Sequence, residues 1–345
     1  MDVNHRQLLS VVVPVYGSAA ILPETHRRLT EALTVLDDLD YEILYVNDGS
    51  PDNAGEILKD IVAGDGRARL LWLSRNFGHQ AAITAGLDNA SGDAVVIIDD
   101  DLQDPPEVIA QMVERWRQGN KVVYGVRAVR RGDSVFKRAS AKLFYRLLQR
   151  LSDRPIPLDA GDFRLMDRAV VDVLRQMREE SRYMRGMVSW VGFQQCALTY
   201  ERDARYAGKS NYRLRHSLRL ALDGIVSFST RPLLLSAAFG TLVTFGAFMA
   251  MLWLIVGKLV NPENVVAGTT TVLVAVLFMG GIQLVTIGVL GTYLGKVFYE
   301  TKRRPLYVAA ERLGFGDDVA PPAQRPGFID HEAAPPGAPA GIGED

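Results

Sequence analysis

The chain has 345 residues, a formal net charge of −1 and a single cysteine, Cys196. Its length exceeds that of one hydrophobic core and allows about two folding units with a further segment, while the balanced charge argues against a general nucleic-acid binder, whose footprint is strongly basic. One cysteine excludes an intrachain disulfide framework and a thiolate zinc cluster, and leaves Cys196 to ordinary packing.

Residues 1–10 are polar and the apolar run at 11–15 is too short for a signal core, so no cleavable signal is expected. Residues 8–15 (LLSVVVPV) read as a central strand ending near Pro14 and Tyr16, with Gly17 permitting a tight turn. Pro23 and the spacing of apolar residues predict a helix over 22–36. Residues 41–46 (YEILYV) form a second strand, followed by the turn Asn47-Asp48-Gly49-Ser50, with Ser50 or Asp52 as a helix N-cap. A third strand at 70–73 leads through Ser74-Arg75-Asn76-Phe77-Gly78-His79-Gln80 into an alanine-rich helix at 81–90.

Residues 95–107 read VVIIDDDLQDPPE. Four apolar β-formers without alternation suit a strand buried on both faces, and Pro105 and Pro106 stop its continuation. Strand and helix have by then alternated four times, the pattern of right-handed crossovers in a doubly wound, mostly parallel α/β sheet. Ligands gather beyond the carboxyl ends of such strands, which is where Asp99, Asp100 and Asp101 emerge. Three adjacent carboxylates repel one another unless a cation sits among them. A solvated acidic turn is the other reading of the same residues.

Residues 136–151 carry apolar side chains on one helical face, with Lys137, Arg138, Lys142, Arg146 and Arg150 around it. This is the pattern of a basic amphipathic helix lying in a membrane interface, and residues 213–226 repeat it. Two core-facing surface helices would give the same pattern. The runs 232–257 and 265–295 contain no charged residue, and each is long enough for a membrane-crossing helix. Arg213, Arg215, Arg219 and Arg231 precede the pair and Lys296, Lys302, Arg303 and Arg304 follow it, so both termini are expected on the cytoplasmic side. Residues 304–307 are candidates for an edge strand or an oligomer contact. From about 309 the Pro, Gly and Ala content predicts a mostly disordered tail.

The ordered set VVVPVYG, YEILYVNDGSPD, LSRNFGHQAAITAG, IIDDDLQDPPE, DAGDFRLMDR and AGKSNY resembles glycosyltransferase family 2. Within that family it is similar to the polyprenyl-phosphate glycosyltransferases. These include dolichol-phosphate mannose synthase, the undecaprenyl-phosphate glucosyltransferases of O-antigen glucosylation, and the enzyme that loads formamido-arabinose on undecaprenyl phosphate. The likeness spans residues 9–307, and the order and spacing of the motifs carry it. It implies a GT-A fold, a Rossmann-like catalytic domain, over residues 1–210. A juxtamembrane amphipathic helix at 211–231, a two-helix transmembrane hairpin at 232–297 and a cytoplasmic tail at 298–345 complete the expected organisation.

The resemblance also implies roles. Asp99 and Asp101 match the family's D-x-D pair, which holds Mg2+ or Mn2+ against the donor diphosphate, with Asp100 between them in the nucleotide-sugar site and Gln103 as a further metal or diphosphate ligand. Pro14, Tyr16 and Asp48 match the nucleoside-lining positions, Arg75 lies in a donor-binding segment, and Lys209 in AGKSNY matches the basic residue of a loop that closes over the diphosphate. Arg127, with Lys137 or Arg138, resembles the set that binds the acceptor phosphate. Asp162 stands where many members carry a catalytic carboxylate, although the dolichol-phosphate mannose branch has serine there. A lipid phosphate is already anionic, so Asp162 is either a base or an orienting group. Asp159 is a weaker candidate for that carboxylate role, and Arg185 is a candidate to meet the diphosphate.

The implied activity is metal-dependent, inverting transfer of a sugar from a nucleotide sugar, UDP-glucose as first guess, to polyprenyl phosphate. The implied setting is the bacterial inner membrane, with the catalytic domain cytoplasmic, a separate flippase downstream and a homo-oligomer as the assembly. Processive polysaccharide synthases of the family carry Gln-x-x-Arg-Trp, a pattern this chain lacks. A non-catalytic membrane anchor that senses nucleotide sugar is the other alternative.

Overall fold

The computed structural model describes residues 6–127, 160–180, 182–201, 231–260 and 268–316. Its centre is an eight-stranded sheet in the order β7-β5-β6-β4-β1-β2-β3-β8. The strands are β1 (Gln7–Val15), β2 (Leu39–Asn47), β3 (Ala68–Leu73), β4 (Ala94–Ile97), β5 (Val122–Arg127), β6 (Ala160–Asp167), β7 (Gln195–Tyr200) and β8 (Ala309–Leu313). β1 pairs in parallel with β2 and β4, β2 with β3, and β5 with β7. Only β6 and β8 run against the rest. The continuous apolar runs of β1, β2 and β4 follow from this, because these central strands are covered on both faces.

One face is packed by α1 (Leu22–Thr34), α2 (Ala54–Gly64) and α4 (Val108–Arg117), through Leu22, Leu29, Leu33, Leu58, Ile109 and Met112. The other is packed by α3 (His79–Asn89), α5 (Arg168–Gln176) and α6 (Met184–Val191), through Ile83, Leu87, Val171, Leu174 and Met187. The expected strand-helix alternation is therefore present, with helices on both faces. β1 ends at Val15, between Pro14 and Tyr16 as expected, with Pro14 buried in register with Val46. The cap of α2 differs from expectation. The N-cap position of α2 is Asn53, although Oδ1 of Asp52 accepts from the N–H of Ala54 at 3.3 Å. Ser50 belongs to the preceding turn, where its N–H donates to Oδ1 of Asn47 at 3.0 Å.

Two long helices follow, α7 (Arg231–Val260) and α8 (Thr269–Lys302), and they pack against each other. Among the described residues one stretch, Phe278–Lys302 in α8, is long and apolar enough to cross a membrane, and none of it is buried. In α7 the apolar stretch Ser236–Ala250 is shorter.

The tail begins later than its composition predicts, since Ala309–Leu313 forms β8, antiparallel to β3, with Leu313 opposite Leu70. Because β8 enters beside Leu73 and the N–H of Ser74 donates to Val308 O at 2.8 Å, the chain leaving α8 arrives at the carboxyl edge of the sheet. The segments 136–151 and 213–226, and with them Lys137, Arg138, Asp159 and Lys209, lie outside the described residues.

Candidate functional site at the carboxyl edge of the sheet

The loops that follow β1, β2, β3 and β4 meet at one edge of the sheet, joined there by the start of the antiparallel β6. After β4 the chain carries Asp99, Asp100 and Asp101 into a turn in which the N–H of Gln103 donates to Oδ1 of Asp101 at 3.1 Å and Leu102 takes a positive φ of 53°. Asp100 is engaged apart from its two neighbours. Oδ2 of Asp100 accepts from the hydroxyl of Ser18, and its carbonyl from Thr25 Oγ1 at 2.9 Å, which ties it to the loop before α1.

Asp99 faces another neighbourhood. Nε2 of His79, the first residue of α3, lies 3.7 Å from Oδ1 of Asp99 and 3.3 Å from Oδ2 of Asp162. Asp162 in turn accepts from Nε of Arg185 at 3.0 Å and lies 3.9 Å from Nη2 of the buried Arg164. Asp48, buried at the end of β2, accepts from the N–H of Phe77 at 2.7 Å and of Gly78 at 2.9 Å, and so fixes the loop between β3 and α3. Arg75 in that loop is exposed and stacks over the Phe77 ring at 4.0 Å. Tyr16 is 54% exposed just beyond β1, whereas Pro14 is buried. Arg127 closes β5, which runs in the same direction as β4, so it reaches the same edge.

Residues 10–175 match the family model described as Glycosyl transferase family 2. The chain is 45% identical over 305 residues to "Uncharacterized glycosyltransferase YkcC" of Bacillus subtilis (strain 168), covering 88% of this chain and 94% of that one. It is 41% identical over 300 residues to "Bactoprenol glucosyl transferase" of Shigella phage SfV, covering 87% and 97%. The chain belongs to glycosyltransferase family 2. It is a glycosyltransferase enzyme with the GT-A-like α/β architecture its motifs imply. Among solved structures it is similar to the mannosyltransferase PcManGT from Pyrobaculum calidifontis, with 18% identity, a TM-score of 0.44 and coverage of 63% of this chain and 61% of that one.

The electrostatics of this candidate site separate its carboxylates. Burial pushes Asp99 up to about 6; His79 opposes the shift, and the charges of Asp162, Asp104 and Asp101 add to it. Burial likewise carries Asp100 up to about 7, against the hydrogen bond from Ser18. At Asp162 burial acts in the same sense, but the His79 hydrogen bond and the charges of Arg185 and Arg164 outweigh it and hold the carboxyl well below the usual range. Burial draws Arg164 down to about 10, so it stays charged at neutral pH.

The residues present fit a divalent cation. Among the described residues no three His, Cys, Asp or Glu side chains form a metal-holding group. Oδ1 of Asp99, however, is buried and accepts no hydrogen bond. Carboxylates with an amide oxygen are hard donors suited to Mg2+ or Mn2+, which commonly complete their shell with substrate phosphates.

His79, Arg164 and Ser18 are the members of this candidate site that the sequence motifs did not single out. His79 had a visible signal, a lone imidazole at a strand-to-helix turn opening onto the carboxyl edge. Arg164 stood unremarked inside DAGDFRL.

Proposed function

We propose that this enzyme transfers glucose, with inversion, from a nucleotide sugar to a polyprenyl phosphate. The observation that carries the reading is the buried Oδ1 of Asp99, which accepts no hydrogen bond at the carboxyl edge where family 2 motifs converge. The name of the Shigella phage relative supports glucose as the sugar and a polyprenyl carrier as the acceptor.

Asp99 and Asp101, with Gln103, would hold the divalent cation, which supplies charge neutralisation of the departing nucleoside diphosphate when bound. The other side chains bind and orient. Tyr16, open beyond β1, packs against the nucleoside, and Asp48 shapes the same pocket by holding the 74–78 loop. By the family resemblance, Arg75 and Lys209 would bind the diphosphate, and Arg127 with Lys137 or Arg138 the acceptor phosphate. UDP is the nucleotide we favour.

Asp162 serves as an orienting group. A carboxylate pressed by one imidazole and two guanidiniums is a poor proton acceptor, and an anionic phosphate oxygen needs none. Its part is to fix Arg185 while the phosphate oxygen attacks the anomeric carbon in line, so rate enhancement rests on positioning and charge neutralisation.

Both long helices cross the membrane in this reading, with the catalytic residues and both termini on the cytoplasmic side. The return of the chain from α8 to the carboxyl edge at Ser74 supports a site that opens toward the bilayer. The test gives the purified full-length protein labelled nucleotide sugars, undecaprenyl phosphate and Mn2+ or Mg2+. A metal-dependent, chloroform-soluble product from UDP-glucose is expected, and no labelled lipid from any donor would sink the assignment.

A further inference from the structure

We propose that His79 is a positioning residue of the transfer reaction, holding the Asp162 carboxylate, and through it the Arg185 guanidinium, where the donor and acceptor sides meet. This rests on the reading of the site as a glycosyl-transfer centre. Asp99 and Asp162 come from neighbouring strands, β4 and β6, and His79 reaches both from a third element. At 3.3 Å its Nε2 is near hydrogen-bond range of Asp162, whereas 3.7 Å to Asp99 is outside it. The ring therefore leans toward Asp162, and Oδ1 of Asp99 accepts no hydrogen bond from it.

The backbone sets this ring from three directions. Asp48 grips the N–H groups of Phe77 and Gly78, and Gly78 turns at a φ of 97°, so the chain enters α3 sharply with His79 as its first helical residue. Oε1 of Gln80 accepts from the N–H of Met184 at 2.8 Å, which pins the start of α3 to the start of α6, and Arg185 is the next residue on α6. At the far end Arg178 donates to Asp88 at 2.7 Å and so holds α3 in place. His79 and Arg185 thus flank Asp162 from two helices whose first turns are joined.

A packing histidine looks different in this fold. The ring of His26 is mostly buried between α1 and β2, with Nδ1 3.0 Å from the Tyr45 hydroxyl. The His79 side chain is 45% exposed, and both of its ion partners are carboxylates of the site. Its removal would cost the core little and would leave Asp162 free to turn toward Arg164, carrying Arg185 with it. An ångström of misplacement at a reacting centre costs roughly a hundredfold in rate.

The experiment uses the full-length enzyme with Mn2+, UDP-glucose and undecaprenyl phosphate. In His79→Ala, kcat is expected to fall roughly 10- to 100-fold, as for other groups that orient a working side chain, while KM for UDP-glucose and calorimetric, Mn2+-dependent UDP binding stay within about twofold. His79→Gln, which keeps an N–H donor, recovers most of kcat. A thermal-unfolding double-mutant cycle of His79→Ala with Asp162→Asn is expected to be non-additive. Unchanged kcat in His79→Ala, equal losses in the Ala and Gln variants, or an additive cycle would overturn the proposal. A wild-type enzyme that makes no labelled lipid overturns the transfer reading instead, and the unfolding cycle then decides the His79–Asp162 pairing alone.

Discussion

The hydroxyl of Tyr307 donates to Oδ2 of Asp88 at 3.1 Å, joining the segment after α8 to the last turn of α3 across 219 positions of sequence. Arg178 donates to both oxygens of the same carboxylate, at 2.7 and 3.0 Å, so the buried Asp88 is fully engaged. A helix of membrane-crossing length is thereby anchored to the element that carries His79 into the site. Tyr307→Phe keeps the ring and Arg178 but removes both the bond to the Asp88 carboxylate and the longer one that the hydroxyl accepts from Asn89 Nδ2 at 3.4 Å, so the expected loss is about 1–3 kcal/mol. A lower thermal midpoint of the full-length protein would register it, and an unchanged midpoint would show that the anchor lies elsewhere.

Asp99→Asn separates function from stability. Transfer is expected to drop by about 10²- to 10⁴-fold, because the cation that would balance a departing diphosphate loses one of its proposed carboxylate ligands. Stability at pH 7 should hold or rise, since burial pushes this carboxyl up to about 6 and its Oδ1 accepts no hydrogen bond, so the folded state holds the ionised form at a cost that the amide lacks. Labelled-lipid synthesis and thermal unfolding of the same preparation test both halves. Treatment with EDTA should reproduce the loss of transfer in the wild type, with recovery on adding Mn2+.

Much of this organisation could be read from local sequence. Apolar runs without alternation marked β1 and β4, YEILYV before a polar turn marked β2, and the break from Ile98 into three aspartates marked the carboxyl edge, because burial on two faces and the end of a strand both leave short-range signatures. β8 was hidden by its own role: the sequence AAERL is an edge strand, and charged residues there discourage pairing with another chain while erasing the apolar pattern of a core strand. The grouping of His79, Asp162, Arg164 and Arg185 was hidden because three elements supply it, and no spacing within one segment encodes a contact made by tertiary packing. The reversed β6 likewise leaves no mark in its own residues.

Asp167 provides a pH-dependent test away from the site. It caps α5 through the N–H of Ala169 at 3.0 Å and accepts from Trp116 Nε1 at 2.8 Å and Lys121 Nζ at 2.9 Å. Burial alone would raise its carboxyl, but these three partners together hold it below the usual range. A depressed carboxyl stabilises the fold above its unfolded value near 4, and that stabilisation fades as pH falls through the folded value. Asp167→Asn should therefore cost about 1–3 kcal/mol at pH 7, with the gap to wild type narrowing in denaturation series taken below about pH 4. An equal gap at both ends of the series would mean that the carboxylate charge contributes nothing.

Gly49 is the position where backbone geometry bears most directly on the proposed donor site. It follows Asp48 with a φ of 61°, in the left-handed region where a non-glycine residue costs about 1–2 kcal/mol. A Cβ added there would sit 2.6 Å from the carbonyl carbon of Arg75 and 2.7 Å from the amide nitrogen of Asn76, both backbone atoms that no rotamer change can move aside. In Gly49→Ala the 74–78 loop must retreat, yet Asp48 holds that loop through Phe77 and Gly78, so one of the two contacts has to give. Either way the entry to α3 shifts, and with it the residues proposed to meet the nucleoside and diphosphate. UDP binding measured by calorimetry should weaken by roughly tenfold or more, since displacements of this size at a positioned site are costly. Gly17, whose φ is 68° but whose added Cβ meets nothing within 4 Å, is the control. Gly17→Ala carries the backbone strain without the clash, and should lose stability while keeping most of its UDP affinity. Equal UDP affinities in the two variants would mean that the approach of Gly49 to Arg75 does not govern donor binding.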